Sequence, residues 1–317
     1  MEILRREGDA VMATVAEAEA IAGGPARLAR LASLRAPLCG IAMDRPAIMG
    51  VVNVTPDSFS DGGDLADPTA AIAQGRAFGE AGADIIDVGG ESTRPGSDPV
   101  DPEVELMRVL PVVRALAADG LAVSIDSRRA SVMAAALDAG AALVNDVSAL
   151  TFDPESLSLV AARAVPVVLM HSQGDPKSMQ DEPHYECAPL DVFDYLEARI
   201  EACIQAGISR DHIIVDPGIG FGKSAPSGKS HGGHNMEILQ RLGLLHGLGC
   251  ALLLGVSRKS FIGRLGGAAE PKQRLPGSLA AGLAGLDKGV QILRVHDVAE
   301  TAQALAVWQA LAADLSS

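Results

Sequence analysis

Asp126, Asn145 and Asp216 each close a short apolar run, in "LAVSID", "AALVND" and "HIIVD". A carboxylate accepts two parallel N–H bonds and an amide both donates and accepts, so the three suit a flat heterocycle with a guanidine-like edge. Arg258, Lys259, Arg294 and His296 follow two later apolar runs and supply the cations that an anionic group would need. A second candidate for phosphate is "DPGIGFGKSAPSGKSHGGHN" at 216–235, where Gly-Lys-Ser occurs twice. A phosphate-binding P-loop needs a glycine five positions before its Gly-Lys, and Pro217 and Lys223 stand there instead. Asp216 is therefore the chemistry-bearing residue of that stretch.

The elements that must position these groups are eight. Apolar, β-branched runs begin near residues 47, 83, 121, 141, 165, 212, 251 and 290, and segments of helical spacing such as "TAAIAQGRAFGEAGA" and "PLDVFDYLEARIEACIQAG" lie between them. Continuous rather than alternating apolarity marks strands covered on both faces, as in a parallel sheet. Eight strand-helix units at a spacing of about 35 residues predict an α/β fold, a (β/α)8 TIM barrel. The alternative, a doubly wound open sheet, lacks support because no GxGxxG follows the first strand. In a barrel, the residues closing the eight runs converge on one mouth: Asn53, Glu91 to Arg94, Asp126, Asn145-Asp146, His171, Asp216, Ser257 to Lys259, and Arg294 with His296. Unpaired carboxylates and amides there would cost several kcal/mol unless they met a ligand or each other, so the set reads as functional. An internal Asp/Asn network with Arg128 or Lys259 is the competing reading.

The 317 residues, 48% hydrophobic and 21% charged, suffice for one large α/β domain with a sizeable core. A net charge of -14 argues against nucleic acid or an anionic membrane surface as partner, leaving room only for a focused anion site. The scattered Cys39, Cys187, Cys203 and Cys250 form no metal-ligand or disulfide pattern and suit a reducing, cytoplasmic location. No apolar run is long enough to span a bilayer, and the N-terminus lacks the basic start and hydrophobic block of a secretory signal. Residues 1–40 read as an N-terminal extension of one or two Ala-rich amphipathic helices, and 41–317 as the barrel domain. His231 and His234 could ligate a metal, but with no acid or cysteine beside them they read as part of a solvated loop insertion.

"MGVVNVTPDSFSDGG", "DIIDVGGESTRPG", "SIDS", "VNDVSAL", "LMHSQGDPKSMQ", "DPGIGFGK", "GVSRKSFIG" and "GSLAAGLAGLDKGVQILRVHDVAET" occur in that order, and together they resemble the dihydropteroate synthases of folate biosynthesis. The resemblance runs from about Ile48 to the C-terminus. It implies condensation of a dihydropterin-methyl diphosphate with 4-aminobenzoate. By that resemblance Asp126, Asn145, Asp216, Lys259 and Arg294 would bind the pterin, and Asn53, Arg294 and His296 the diphosphate. Phe59, Thr93, Arg94, Pro95, Phe221, Lys259 and Ser260 would form the aminobenzoate pocket. Asp126, Lys259 and Arg294 would carry the catalytic step, and a Mg2+ ion touching Asn53 would ride on the diphosphate. A homodimer and inhibition by sulfonamides are further implications. "SIDSRR" departs from the family pattern in having Ser127 where Thr is usual, which keeps the hydroxyl, and the loop after Lys223 is longer than usual. Two rivals are a pterin-binding methyltransferase, which needs no diphosphate site or aminobenzoate clamp, and a non-catalytic paralogue, which would have lost one of these motifs.

Overall fold

The computed structural model describes residues 2–7, 10–20, 24–55, 68–92, 99–173, 183–223 and 233–313. The barrel strands are β3 (Ala47–Asn53), β4 (Ile85–Gly89), β5 (Val123–Asp126), β6 (Leu143–Asp146), β7 (Val167–Met170), β8 (Ile213–Asp216), β9 (Ala251–Leu254) and β10 (Ile292–Val295). All neighbours pair in parallel, and β10 closes the circle onto β3 with Ile292 opposite Ala47. The helices between them are α2 (Pro68–Glu80), α3 (Pro102–Ala118), α4 (Ala130–Asp138), α5 (Ser156–Arg163), α6 (Ala188–Gln205), α7 (Gly233–Gln240), α8 (Ser260–Gly266) and α9 (Leu275–Leu286). The last, α10 (Val298–Ala313), follows β10. The expected TIM barrel is what the chain forms. The start of α3 shows the local logic: Asp101 caps the helix by accepting from the Glu103 N–H at 2.8 Å, Pro102 opens it, and Glu103 and Glu105 occupy the positive end of its dipole.

Strand parity divides the core in two. Ile48, Val52, Ile86, Val88, Ile125, Val144, Leu169, Val215, Leu252 and Leu293 face outward and are buried under the helices. Inside the barrel, Ala47, Met49, Ile85, Leu143, Val168, Ile214, Ala251, Leu253 and Ile292 fill a second, smaller core. Leu38 and Met43 join that inner core, with Leu38 and Ile41 bridged to each other, and so plug the end from which β3 enters. The plug contains residues on both sides of position 40, so the boundary expected there cuts through a buried cluster.

The N-terminal extension departs from the helical expectation. Its first part is an antiparallel ribbon of β1 (Glu2–Glu7) and β2 (Ala10–Val15), with Glu7 opposite Ala10, and only α1 (Gly24–Ala32) is helical, apart from a 3-10 turn at Ala18–Ala20. The signal was present in the sequence: two six-residue runs stand either side of Gly8-Asp9, the dipeptide spacing of a tight hairpin. Helix propensity of the alanines lost to that pairing. Arg6 ties the ribbon to α6 through Asp191 and Asp194, at 2.5 Å each. Among the described residues no helix is long and apolar enough to cross a membrane.

Candidate active site

The parity that fills the barrel floor with Ile85, Leu143, Ile214 and Ile292 puts Asp87, Asn145, Asp216 and Arg294 on the same inward face, two residues higher. Asn53, Asp126 and His296 share that face at the upper ends of β3, β5 and the exit from β10. Strand ends of a barrel form its catalytic mouth. The structure therefore brings together Asn53, Asp126, Asn145, Asp216, Arg294 and His296 as expected.

It adds one residue, Asp87. Fully buried, it accepts from Arg294 Nε at 2.7 Å and from Asn145 Nδ2 at 3.0 Å, while Arg294 Nη2 donates to Asp126 at 2.6 Å. One guanidinium is thus held edge-on by two carboxylates from neighbouring strands, which fixes its plane. Burial works against the Arg294 cation, but Asp87 and Asp126 more than offset it and hold its pKa above the ordinary value. Burial pushes the Asp126 carboxyl up, Arg294 opposes that, and Asp87 and Asp146 reinforce it. Burial likewise raises Asp216, against the Gly218 N–H that donates to its Oδ1 at 2.7 Å and the cations of Lys259, Arg294 and Lys223. Asp87 Oδ1 and Asp126 Oδ1 are buried without a hydrogen-bond partner among the described residues, two acceptors placed where a ligand N–H could meet them. Asp87 is absent from the strand-end set because it sits inside "ADIIDV" rather than at its end. An acid in mid-run, two residues after Ile85 and so on the same face of the strand, was the available signal.

Other expected residues divide. Lys259 Nζ lies 3.9 Å from the centroid of the Phe221 ring, so those two meet as a cation–π pair at one side of the mouth. Ser260 begins α8 and is exposed, with its hydroxyl 3.5 Å from Arg264 Nη1. His296 places Nδ1 3.0 Å from the Ser257 hydroxyl. Phe59, Thr93, Arg94 and Pro95 lie outside the described residues, as does His231, whereas His234, expected in a solvated loop, is buried in the first turn of α7 against the Tyr185 ring. Three residues grouped with the mouth belong elsewhere. Asp146 points outward and caps the following turn through the N–H groups of Ser148 and Leu150, because it is one residue out of phase with Asn145. Arg258 turns away to pair with Asp297. Glu91 joins a buried cluster with Arg128, Arg129 and Glu105, so Arg128 does not serve the Asp/Asn network.

The turn after β8 depends on glycine at one position in particular. Gly218 has φ +66°, and a Cβ there would stand 1.9 Å from the His171 carbonyl oxygen. Backbone against backbone cannot yield, so Gly218→Ala should destabilise the protein by more than about 1–3 kcal/mol in a denaturant titration. Gly243→Ala, with open space around its Cβ, should stay within about 0.5 kcal/mol of wild type. Equal midpoints for the two variants would refute the close approach.

Residues 49–296 match the model of the family described as pterin binding enzyme. A dihydropteroate synthase of Neisseria meningitidis serogroup B is 47% identical over 279 residues, covering 87% of this chain and 96% of the relative. The chain belongs to the dihydropteroate synthase family. Among solved structures, the Xanthomonas albilineans dihydropteroate synthase with 4-aminobenzoic acid superimposes with a TM-score of 0.81 at 47% identity, covering 89% of this chain and 99% of that one. The same enzyme in complex with 7,8-dihydropteroate gives a TM-score of 0.76 at 45% identity, covering 86% and 96%. The chain is a transferase. It condenses (7,8-dihydropterin-6-yl)methyl diphosphate with 4-aminobenzoate to give 7,8-dihydropteroate and diphosphate.

Proposed function

We propose that the inward residues of the barrel mouth divide this condensation between pterin recognition, departure of the diphosphate and presentation of the amine. The observation that carries the reading is the guanidinium of Arg294 held between Asp87 and Asp126, beside two buried carboxylate oxygens that have no hydrogen-bond partner among the described residues. Asp126, Asn145 and Asp216 take the N–H-rich edge of the pterin, a pairing of charged acceptors with planar donors. Arg294 offers its fixed plane to the ring as a cationic stacking surface and, with Asn53 and His296, faces the diphosphate. Lys259 reaches the ring from the β9 side while resting on Phe221, whose ring helps line the aminobenzoate pocket with Ser260. Phe59, Thr93, Arg94 and Pro95 complete that pocket on the family resemblance.

As the C–O bond to the methylene breaks, its electron pair leaves with the diphosphate. Positive charge develops on the pterin-methyl carbon, and Asp126 stabilises it from a dry, preorganised position. The amine of 4-aminobenzoate forms the C–N bond and releases one proton. Closing the pocket over this carbon keeps water from capturing it.

The donor set suits a magnesium ion carried by the substrate. Asn53 contributes a hard amide oxygen, and no group of three or more His, Cys, Asp or Glu among the described residues could cage a metal by protein ligands alone. Mg2+ characteristically takes substrate phosphate oxygens, waters and one or two protein oxygens. Bound there with Asn53, it would neutralise charge on the leaving diphosphate.

The chain acts on small molecules. We read the assembly as a homodimer, supported by the exposed Val307 and Leu311 on α10, and a mass near twice the chain's 32.6 kDa in sedimentation would bear it out. We place the enzyme in the cytoplasm, which its four free cysteines support. The assay for the mechanism is diphosphate release. It should require both substrates and collapse on chelation of Mg2+. Methyl transfer from methyltetrahydrofolate without such release would overturn the reading in favour of a methyltransferase.

A further inference from the structure

Lys223 is among the most completely buried side chains in the molecule, 1% exposed, and the reaction as described makes no use of it. Its ammonium is surrounded by acceptors from two segments: the carbonyl of Gly218 at 2.7 Å, that of Phe221 at 2.9 Å, that of His171 at 3.1 Å, and His171 Nδ1 at 3.1 Å. An ammonium has three protons and no acceptor, so this shell suits the charged form, and the contact at Nδ1 puts the imidazole proton on Nε2. Burial pushes the Lys223 pKa down to about 7, with Asp216 opposing and Lys259 adding to the fall. Burying such a charge is costly unless it is fully hydrogen-bonded. The fold accepts that cost at the turn which leaves the catalytic end of β8.

The same turn bears on the mouth at two points. Gly218 gives its carbonyl to Lys223 and its N–H to Asp216 Oδ1 at 2.7 Å, so one residue links the ammonium to the carboxylate. Phe221 gives its carbonyl to Lys223 and its ring to Lys259. Asn235, the third residue of α7, closes the turn from outside: Oδ1 accepts from Gly220 N–H at 2.7 Å and Nδ2 donates to the Lys223 carbonyl at 2.8 Å. Tyr185 adds a hydroxyl to the Gly222 carbonyl at 2.8 Å.

We propose that Lys223, with Asn235, is a positioning residue of the active site: its buried ammonium clamps the end of β7 to the 218–221 turn, and thereby aims Asp216 at the pterin and seats Phe221 beneath Lys259. This rests on the assignment of Asp216 to pterin binding. The lysine of the Gly-Lys motif thus acts on the site from behind, through three carbonyl groups.

The test is a double-mutant cycle read by calorimetric titration with the dihydropterin diphosphate. Lys223→Met, and separately the milder Asn235→Ala, should each weaken binding roughly tenfold, within the range of couplings in one hydrogen-bond network. In an Asp216→Ala background the same substitutions should cost clearly less, because the carboxylate they aim is gone and only the Phe221–Lys259 arm remains. A purely structural lysine would shift the midpoint and leave affinity alone. Wild-type affinity in the folded variants, or equal losses with and without Asp216, overturns the proposal. Should Lys223→Met not fold, Asn235→Ala decides by the same comparison. If Asp216→Ala alone leaves affinity unchanged, the pterin assignment falls first and the inference with it, and that outcome is read from the single variant.

Discussion

Arg294→Ala should lower kcat/KM by about two to three orders of magnitude, the usual consequence of removing a preorganised electrostatic group from a water-poor site. It should also destabilise the folded chain by about 3–5 kcal/mol at neutral pH, because breaking a buried ion pair from one side leaves the other charge uncompensated. Here two carboxylates are orphaned: Asp87, fully buried, and Asp126, nearly so. The pH dependence of the stability loss identifies the cause. Burial already raises the Asp126 carboxyl and Arg294 is the influence that opposes it, so removing Arg294 raises it further. A carboxyl with a folded pKa above its unfolded value binds more protons folded than unfolded between the two, so stability falls as pH rises through that window. The variant's deficit against wild type should therefore grow as pH rises through the wild-type Asp126 value, and shrink on acidification, where Asp126 is neutral in both proteins. Urea titrations at several pH values give the comparison. A pH-independent deficit would mean that lost packing, and not stranded charge, is responsible. Substrate selectivity gives a second check: binding of the diphosphate substrate should suffer more than binding of dihydropteroate, which lacks the diphosphate. Equal losses would confine Arg294 to stacking on the ring.

Asp216→Ala should cost about 2–4 kcal/mol of pterin affinity, a factor of roughly 30 to 1000, by deleting a charged acceptor and stranding the donors it would meet. The carboxylate is buried and fixed by the Gly218 N–H at 2.7 Å, so its geometry is set before substrate arrives. Its loss should appear in dihydropterin binding with little change in the affinity for 4-aminobenzoate. Titrating each ligand separately makes the distinction. Unchanged pterin affinity would refute the assignment of the pocket.

The barrel was legible because eight apolar runs alternate with helical segments at the spacing of a (β/α)8 barrel, with no GxGxxG after the first run to favour an open sheet. The strand ends were legible for the same reason: polar residues that close buried strands must gather somewhere. What defeated sequence reading were effects of phase and of distant pairing. Asn145 and Asp146 are adjacent and chemically alike in reach, yet one lies in the mouth and the other caps a turn outside it, because strand parity places neighbours on opposite faces. Asp87 was hidden by its apolar neighbours until the register of β4 against β5 set it inward. In the N-terminal ribbon, the Gly8-Asp9 spacing outweighed the alanines because strand pairing follows turn geometry more than single-residue propensity.

By itself the sequence determined the barrel, the family and the inward set of Asn53, Asp126, Asn145, Asp216, Arg294 and His296, since order along the chain and strand period are local properties. It also excluded a P-loop from "DPGIGFGKSAPSGKS", since the required glycine is absent. Only the tertiary structure decided which charges neutralise one another. Arg294 selects Asp87 and Asp126 from 207 and 168 residues away, and Lys223 is turned inward onto the His171 carbonyl just past β7 and those of its own turn. Such choices depend on which groups share a dry space, and that is fixed only when the barrel closes.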